Sequence, residues 1–174
     1  IWNVATVGGN LCMALPAGPM TGLAAALEAT CTIWSPDGTE RHLAVTDFVL
    51  GPQRNALRSG EILRSLVMPA TALARRTAFR RISLSPNGRS GALLIGTRES
   101  GGAFALTVTA SIRRPLRLAY ADLPDRDILV RALAEAIPDD LWHDDVHGTP
   151  DWRRHMTLHL AQEIRDALAD AVSA

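Results

Sequence analysis

Four short runs of strand-like sequence between residues 77 and 121 constrain the fold more than any other feature of this chain. They are residues 77–83, 92–98, 103–112 and 116–121. The turn signals that separate them are Pro86-Asn87-Gly88, Ser100-Gly101-Gly102 and Arg113-Arg114-Pro115. Because such short turns connect strands that are neighbours in a sheet, the pattern predicts an antiparallel meander.

Two amphipathic segments follow the predicted meander, at residues 125–137 and 150–172. In the second segment, apolar side chains recur at steps of four: Trp152, Met156, Leu160, Ile164, Leu168 and Val172. Thr149 is a suitable N-cap for this helix, and Pro150 suits its first turn. We expect both helices to cover one face of the meander.

The first part of the chain has a different pattern. Small and apolar residues at helical spacing follow Pro19, which suits the first turn of a helix. Two strand-like runs, at residues 30–35 and 39–45, flank Pro36-Asp37-Gly38. Because Asp-Gly is a strong turn signal, these runs predict a β-hairpin.

A loop is expected to begin at Asp47, and residues 61–68 alternate well enough to predict another strand that ends at Pro69. The pattern changes after this proline. We therefore expect two units, at residues 1–72 and 73–174, and an α+β fold class.

Two adjacent glycines near the start of the chain, Gly8 and Gly9, indicate a candidate binding site. Adjacent glycines permit φ > 0 and close approach of the backbone to a bulky, negatively charged group. Exposed N–H groups in such a turn form an anion site, to which the Thr6 hydroxyl and the Asn10 amide can add hydrogen bonds. This chemistry suits a nucleotide cofactor. A tight turn between two buried segments is the structural alternative.

Together with residues further along the chain, this motif resembles the FAD-binding subunit of the molybdenum hydroxylases, the family of xanthine dehydrogenase and carbon monoxide dehydrogenase. The shared elements are residues 3–10 (Asn-Val-Ala-Thr-Val-Gly-Gly-Asn), Pro16-Ala17, Asp47-Phe48, Glu61-Ile62-Leu63, Pro69 and residues 148–154 (Gly-Thr-Pro-Asp-Trp-Arg-Arg). The resemblance covers nearly the whole chain, although residues 89–138 match only in general pattern. It implies the second half of a FAD-binding domain at residues 1–72, followed by the family's C-terminal sheet and helix domain.

The resemblance also implies cofactor-binding residues. They are Thr6, Val7, Gly8, Gly9, Asn10, Ile62, Leu63 and Arg80. Thr6, Gly8, Gly9 and Asn10 would lie along the FAD phosphates and ribityl chain. Ile62 and Leu63 would lie beside the isoalloxazine, although an ordinary core strand also explains these two. Arg80 would stabilise the anionic reduced flavin; a solvated strand charge is its alternative. No catalytic residue is assigned, because the chain's role is to hold and tune the flavin.

Two departures from the family favour an alternative. Pro19 stands where the family has an Asp that hydrogen-bonds the cofactor, and proline offers neither an acceptor side chain nor an N–H. The family's first subdomain, with a second glycine-rich loop, is not in this sequence, which also lacks an initiator Met and is expected to be a fragment. The alternative is a flavin-free assembly subunit that keeps the fold for docking.

Composition excludes several classes of function. The net charge is zero, with 18 basic and 18 acidic residues, so no electrostatic footprint for nucleic acid or an anionic membrane is present. Cys12 and Cys31 lack metal-type spacing, which excludes zinc or iron–sulfur sites built from this chain alone. A reduced, cytoplasmic protein without a membrane segment is expected.

A metal hydrolase is a second hypothesis, because His155, His159 and Glu163 share one face of the last predicted helix. The residue after His155 is Met156, whereas zinc proteases have their general-base Glu there. These residues are better explained as the polar face of an amphipathic helix, and no metal is assigned.

The resemblance implies an oxidoreductase component that is not active alone. In this family the substrate is hydroxylated at a molybdopterin centre, and electrons pass through 2Fe–2S clusters to FAD and then to NAD, a quinone or oxygen. Molybdopterin and iron–sulfur subunits, and the missing N-terminal FAD subdomain, are therefore the expected partners.

Overall fold

The computed structural model describes residues 4–170, except for the side chain of Asp170. Asn3 of the glycine motif and Val172 of the last helix lie outside the described residues. The elements of the first part are α1 Val7–Met13, α2 Pro19–Ala26, β1 Thr30–Trp34, β2 Glu40–Ala44, α3 Val45–Phe48, β3 Val49–Gly51, β4 Arg54–Asn55, β5 Ile62–Val67 and α4 Ala70–Leu73. The predicted helix after Pro19, the hairpin and the strand before Pro69 are confirmed.

The loop expected from Asp47 is wrong in its first part, whereas residues 56–61 do form turns without helix or strand. The chain forms the short helix α3 and then the hairpin β3–β4. Val45 and Phe48 explain the helical turn, because residues three apart lie on the same side of a helix and both side chains are completely buried.

The first sheet is antiparallel, with the strand order β2-β1-β5. Its inner face packs against the helices around Leu11, Cys31, Ile33 and Phe48, all of which are fully buried. β5 is an edge strand with an irregularity: Thr32 pairs with Ser65, but Ile33 pairs with Leu63. The residue between them, Arg64, is therefore the extra residue of a β-bulge.

The second sheet is the predicted meander. Its strands are β6 Arg76–Ile82, β7 Ala92–Arg98, β8 Phe104–Thr109 and β9 Leu116–Tyr120, paired antiparallel in sequence order. Two helices follow, α5 Arg126–Ala136 and α6 Pro150–Asp170, with a 3₁₀ turn at Asp139–Leu141 between them. Their apolar faces form one core with the sheet, in which Leu94, Leu106, Leu129, Leu133 and Ile164 are buried. The α+β class and the helix-covered sheet are confirmed.

Helix α2 covers the other face of this second sheet, which the sequence did not predict. Every residue of β8 is buried, because α2 packs on the side away from α5 and α6. A β-carbon added to Gly22 of α2 would lie 3.2 Å from Leu93 Cδ2 and 3.3 Å from Thr109 Oγ1. The division into units at residues 1–72 and 73–174 stays a prediction, since α2 belongs to the packing of both.

Ionic contacts also join the two parts of the chain. Glu28, which follows α2, accepts hydrogen bonds from Arg75 and from Arg117 of β9. The hydrogen bond from Arg75 holds the pKa of Glu28 below its ordinary value. Nearby, the Ala110 N–H after β8 donates to the Pro16 carbonyl at 2.8 Å.

Arg153 is the largest fully buried side chain among the described residues. It donates to the carbonyl oxygens of Gly148 at 2.9 Å, Gly91 at 2.7 Å and Ala110 at 2.6 Å, and it pairs with Asp145. Burial lowers the pKa of Arg153, and the Asp145 carboxylate opposes this effect. Arg153 thus links the start of α6 to both central strands of the second sheet.

Candidate functional site

The glycine pair lies in helix α1 and not in a turn. Thr6 has extended backbone angles and is the N-cap; its Oγ1 accepts the Gly9 N–H at 2.9 Å, and its carbonyl accepts the Asn10 N–H at 3.0 Å. Neither Gly8 nor Gly9 has a positive φ. The expected φ > 0 turn is therefore wrong, because a strong N-cap lets the helix begin directly after Thr6.

Within the described part of the chain, the capping contacts leave two backbone donors without an acceptor. The first N–H groups of a helix have no intrahelical acceptor, and here Thr6 satisfies only the third, that of Gly9. Among the described residues, the N–H groups of Val7 and Gly8 have no hydrogen-bond acceptor. The side chain of Asn10 has a structural contact instead: its Oδ1 accepts the Met20 N–H at 3.1 Å, which ties α1 to α2.

A cavity of about 340 Å³ lies between the start of α1 and the edge strand β5. The residues that line it are Val7, Gly8, Leu63, Arg64, Ser65, Leu66 and Met68. Three of these, Val7, Gly8 and Leu63, were expected to bind the cofactor. A β-carbon built on Gly8 would be 4.0 Å from Leu63 Cδ2, so the missing side chain of Gly8 leaves space across the cavity.

The remaining expected residues do not line this cavity. Ile62 is 55% exposed, and a β-carbon on Gly9 would meet Thr6 Oγ1 at 2.9 Å rather than the cavity. Thr6 and Asn10 make the capping and helix-linking contacts described above. A cavity of similar size between α5 and α6 contains none of the expected residues.

Arg80 faces a different part of the molecule. It lies on β6 between Ala78 and Ile82, which pack into the core beneath α6. Its Nε donates to Glu163 Oε2 at 2.9 Å, and Glu163 Oε1 lies 3.1 Å from His159 Nε2. The side chain is thus on the face of the second sheet that α6 covers, whereas the cavity lies between α1 and strand β5 of the first sheet.

On the polar face of α6, Glu163 thus contacts both His159 and Arg80. Within residues 4–170, no three His, Cys, Asp or Glu side chains come close enough together to hold a metal ion. None of the helices in the same range is both long and apolar enough to span a membrane.

A buried carboxylate fixes the start of β5. Glu61 accepts hydrogen bonds from Arg41 at 2.6 and 2.8 Å and from the Arg58 N–H at 2.7 Å. The Arg41 hydrogen bonds lower the pKa of Glu61 from its ordinary value of 4.5 to about 2. Ser35 adds a longer contact at 3.3 Å. This network fixes Glu61, which lies two positions before Leu63, and so fixes the start of the strand that carries Leu63.

Arg64, Ser65, Leu66 and Met68 also line the cavity, but the sequence reasoning missed them. One signal was present: the apolar residues Leu63 and Leu66 are three apart, which strict alternation along a strand does not allow. Both pack against the core of the first sheet because the bulge at Arg64 restores their orientation.

Comparison with known families addresses the same segment. The sequence profile described as "FAD binding domain in molybdopterin dehydrogenase" matches residues 1–71. This match covers less than half of the chain, and we refer to residues 1–71 as the FAD-binding family segment. The family segment contains every residue that lines the α1–β5 cavity. It is 39% identical over 71 residues to xanthine dehydrogenase of Oryza sativa subsp. japonica, which covers 41% of this chain and 5% of the relative.

A bacterial relative has a similar match. The chain is 35% identical over 78 residues to caffeine dehydrogenase subunit beta of Pseudomonas sp. (strain CBB1), which covers 45% of this chain and 26% of that subunit. The chain therefore spans only a small part of the curated relatives it matches.

Solved structures extend the comparison to the whole chain at the level of fold. Quinoline 2-oxidoreductase from Pseudomonas putida 86 has a TM-score of 0.77 at 23% identity, over 99% of this chain and 63% of that chain. Carbon monoxide dehydrogenase from Hydrogenophaga pseudoflava has a TM-score of 0.77 at 21% identity, over 95% and 61%. In both solved structures, the fold of the family segment is thus found together with the fold of the second sheet and its helices.

Proposed function

We propose that this chain is the FAD-binding portion of a molybdenum hydroxylase. The observation that carries the proposal is that Val7, Gly8 and Leu63, from the two ends of the FAD-binding family segment, line one cavity. When bound, FAD would supply electron transfer from iron–sulfur clusters to an acceptor such as NAD, a quinone or oxygen.

The groups in the cavity fit this cofactor. The N–H groups of Val7 and Gly8 are donors at a helix N-terminus, where the helix dipole favours a negatively charged group. Leu63, Leu66 and Met68 supply an apolar wall suited to an aromatic ring system. Gly8 leaves room for a ligand to approach the backbone between these two kinds of surface.

The chain's own residues have binding and positioning roles in this proposal. Thr6 begins α1 and so orients the N–H groups of Val7 and Gly8, which have no acceptor among the described residues. Asn10 fixes α1 against α2, and Glu61 holds the strand that carries Leu63. Gly9 contributes a helical N–H to the cap. We assign no proton transfer to any of them.

The partners follow from the same proposal. We infer that molybdopterin and 2Fe–2S centres are held by other subunits or domains, and that the family's first FAD subdomain completes the cavity. The relatives support this inference, because one is named as the beta subunit of a dehydrogenase and the matched structures are longer than this chain.

The alternative, a flavin-free assembly subunit, has two observations in its favour. The Thr6 Oγ1 and the Asn10 Oδ1, both expected to contact the cofactor, accept hydrogen bonds from within the chain. Pro19, which stands in place of the family's Asp, begins α2 at its first position and offers neither an N–H nor a side-chain acceptor.

The flavin content of the protein in its native assembly separates the two proposals. Denaturation of the purified assembly should release one FAD per copy of this chain, measured by chromatography against a standard. A well-folded assembly that releases no flavin would contradict the FAD proposal and favour the assembly subunit.

A further inference from the structure

Arg64 has the position of a ligand-binding cation. Seven described residues line the α1–β5 cavity, and among them Arg64 is the residue with a charged side chain. It is also the extra residue of the β5 bulge, and bulges redirect side chains next to binding sites. Its neighbours in sequence, Leu63 and Ser65, line the same cavity.

The side chain of Trp34 holds this guanidinium in place. Arg64 Cζ lies 4.9 Å from the centroid of the Trp34 ring, which is the distance of a cation–π contact. Trp34 is in turn fixed by its indole N–H, which donates to Glu40 Oε2 at 2.9 Å. Stacking on Trp34 restricts the Arg64 side chain before any ligand binds. Less side-chain conformational entropy is therefore lost on binding.

The guanidinium has no carboxylate partner within residues 4–170. The acidic residue of this network, Glu40, lies within 3.1 Å of His42 and accepts from Trp34 rather than from Arg64. Arg80, in contrast, is paired with Glu163. An arginine that is oriented but unpaired beside a cavity is available to a negatively charged ligand.

We infer that Arg64, oriented by Trp34, binds an anionic group of the flavin dinucleotide in the α1–β5 cavity. This inference rests on the proposed function, and it replaces Arg80 as the cation of the site. The anionic group is either a phosphate or the negative charge that the ring carries when reduced. A phosphate would present oxygen acceptors to the planar guanidinium, and the reduced ring would present nitrogen or oxygen acceptors.

The test measures flavin binding and potential in Arg64→Gln, with Arg76→Gln as the matched control because Arg76 is an exposed β6 arginine that does not line the cavity. If a phosphate is bound, Arg64→Gln should weaken FAD binding about tenfold and leave riboflavin binding unchanged. Raised salt should reduce this difference.

If the reduced ring is bound, Arg64→Gln should instead lower the flavin's midpoint potential. A tenfold loss of preference for the reduced form converts to about 30 mV for a two-electron couple. Trp34→Leu should give a smaller change of the same kind, because the guanidinium remains but is no longer oriented. Arg76→Gln should change neither quantity.

The outcomes separate this inference from the proposed function. Wild-type protein with bound FAD, together with an Arg64→Gln variant of unchanged affinity and potential, would overturn the role of Arg64 alone. Equal losses in Arg64→Gln and Arg76→Gln would also overturn it, because a general charge effect would then explain both. A wild type without FAD would contradict the proposed function itself.

Discussion

Gly8 of α1 faces Leu63 of β5 across the candidate cavity, and a β-carbon on Gly8 would lie 4.0 Å from the Leu63 Cδ2 atom. The φ of Gly8 is not positive, so the backbone does not require glycine there. What glycine provides is space. The two residues come from the two ends of the FAD-binding family segment, and their separation makes the cavity.

The two neighbouring glycines should respond differently to alanine. A β-carbon at Gly9 would meet Thr6 Oγ1 at 2.9 Å and displace the N-cap, whereas Gly8 has ordinary contacts. Both substitutions replace glycine by alanine in a helix and so bring the same gain in helix propensity. The free energy of unfolding of Gly9→Ala should therefore be about 1 kcal/mol lower than that of Gly8→Ala, which is the usual contribution of an N-cap. Denaturant unfolding measures this difference. It should vanish when Thr6 is also replaced by Ala; a difference that persists would exclude the cap as its cause.

Glu61 should make stability depend on pH in a defined window. Its pKa in the folded protein is lowered from 4.5 to about 2, so its stabilising contribution is fully present above pH 4.5 and is lost as the pH falls towards 2. The melting temperature of wild type should exceed that of Glu61→Gln at neutral pH, and the gap should close between these values. A gap that is independent of pH would contradict the role of the Arg41–Glu61 pair.

Arg153 and Arg154 are adjacent but should differ strongly in their effect on stability. Arg153 is buried and has four partners, so Arg153→Met leaves carbonyls and Asp145 without their donor and should cost about 3 kcal/mol of unfolding free energy. Arg154 pairs with Asp139, whose side chain is 91% exposed, so Arg154→Met should cost less than about 1 kcal/mol. Similar losses from both variants would contradict the linking role of Arg153.

Much of the fold could be predicted from the sequence because its signals are local. The Gly- and Pro-containing turns give the meander, and the apolar repeat from Trp152 gives α6. The packing of α2 on the second sheet could not be predicted in this way. It depends on Gly22 meeting Leu93 and Thr109, which are far apart in sequence.

The site was predictable only in part, for a similar reason. The motif identified Val7, Gly8 and Leu63, but the helical conformation of the glycine pair depends on hydrogen bonds to Thr6 that compete with the expected turn. Arg64 was missed because a bulge is a property of strand pairing. Arg80 was assigned by resemblance, and its pairing with Glu163, 83 residues away, is visible only in three dimensions.

The two cysteines should react slowly in the folded protein. Burial raises the pKa of Cys31 to about 12 and also raises that of Cys12. Because thiolates are the reactive form, both thiols should resist a disulfide reagent at pH 8 and react fully after unfolding. Cys12, which is partly exposed, should be the faster of the two. Rapid native labelling of Cys31, identified by mass spectrometry, would contradict the packing of β1.

The most direct test of the account is the FAD-to-protein ratio of the native assembly carrying Gly8→Leu, compared with wild type and Gly101→Leu. A leucine at Gly8 fills the space opposite Leu63 without straining the helix, whereas Gly101 has no atom within 4 Å of an added β-carbon. With folding checked by thermal melting, we expect wild type and Gly101→Leu to carry one FAD and Gly8→Leu to carry little. A folded Gly8→Leu assembly that retains its full complement of FAD would contradict the assignment of the α1–β5 cavity as the flavin site.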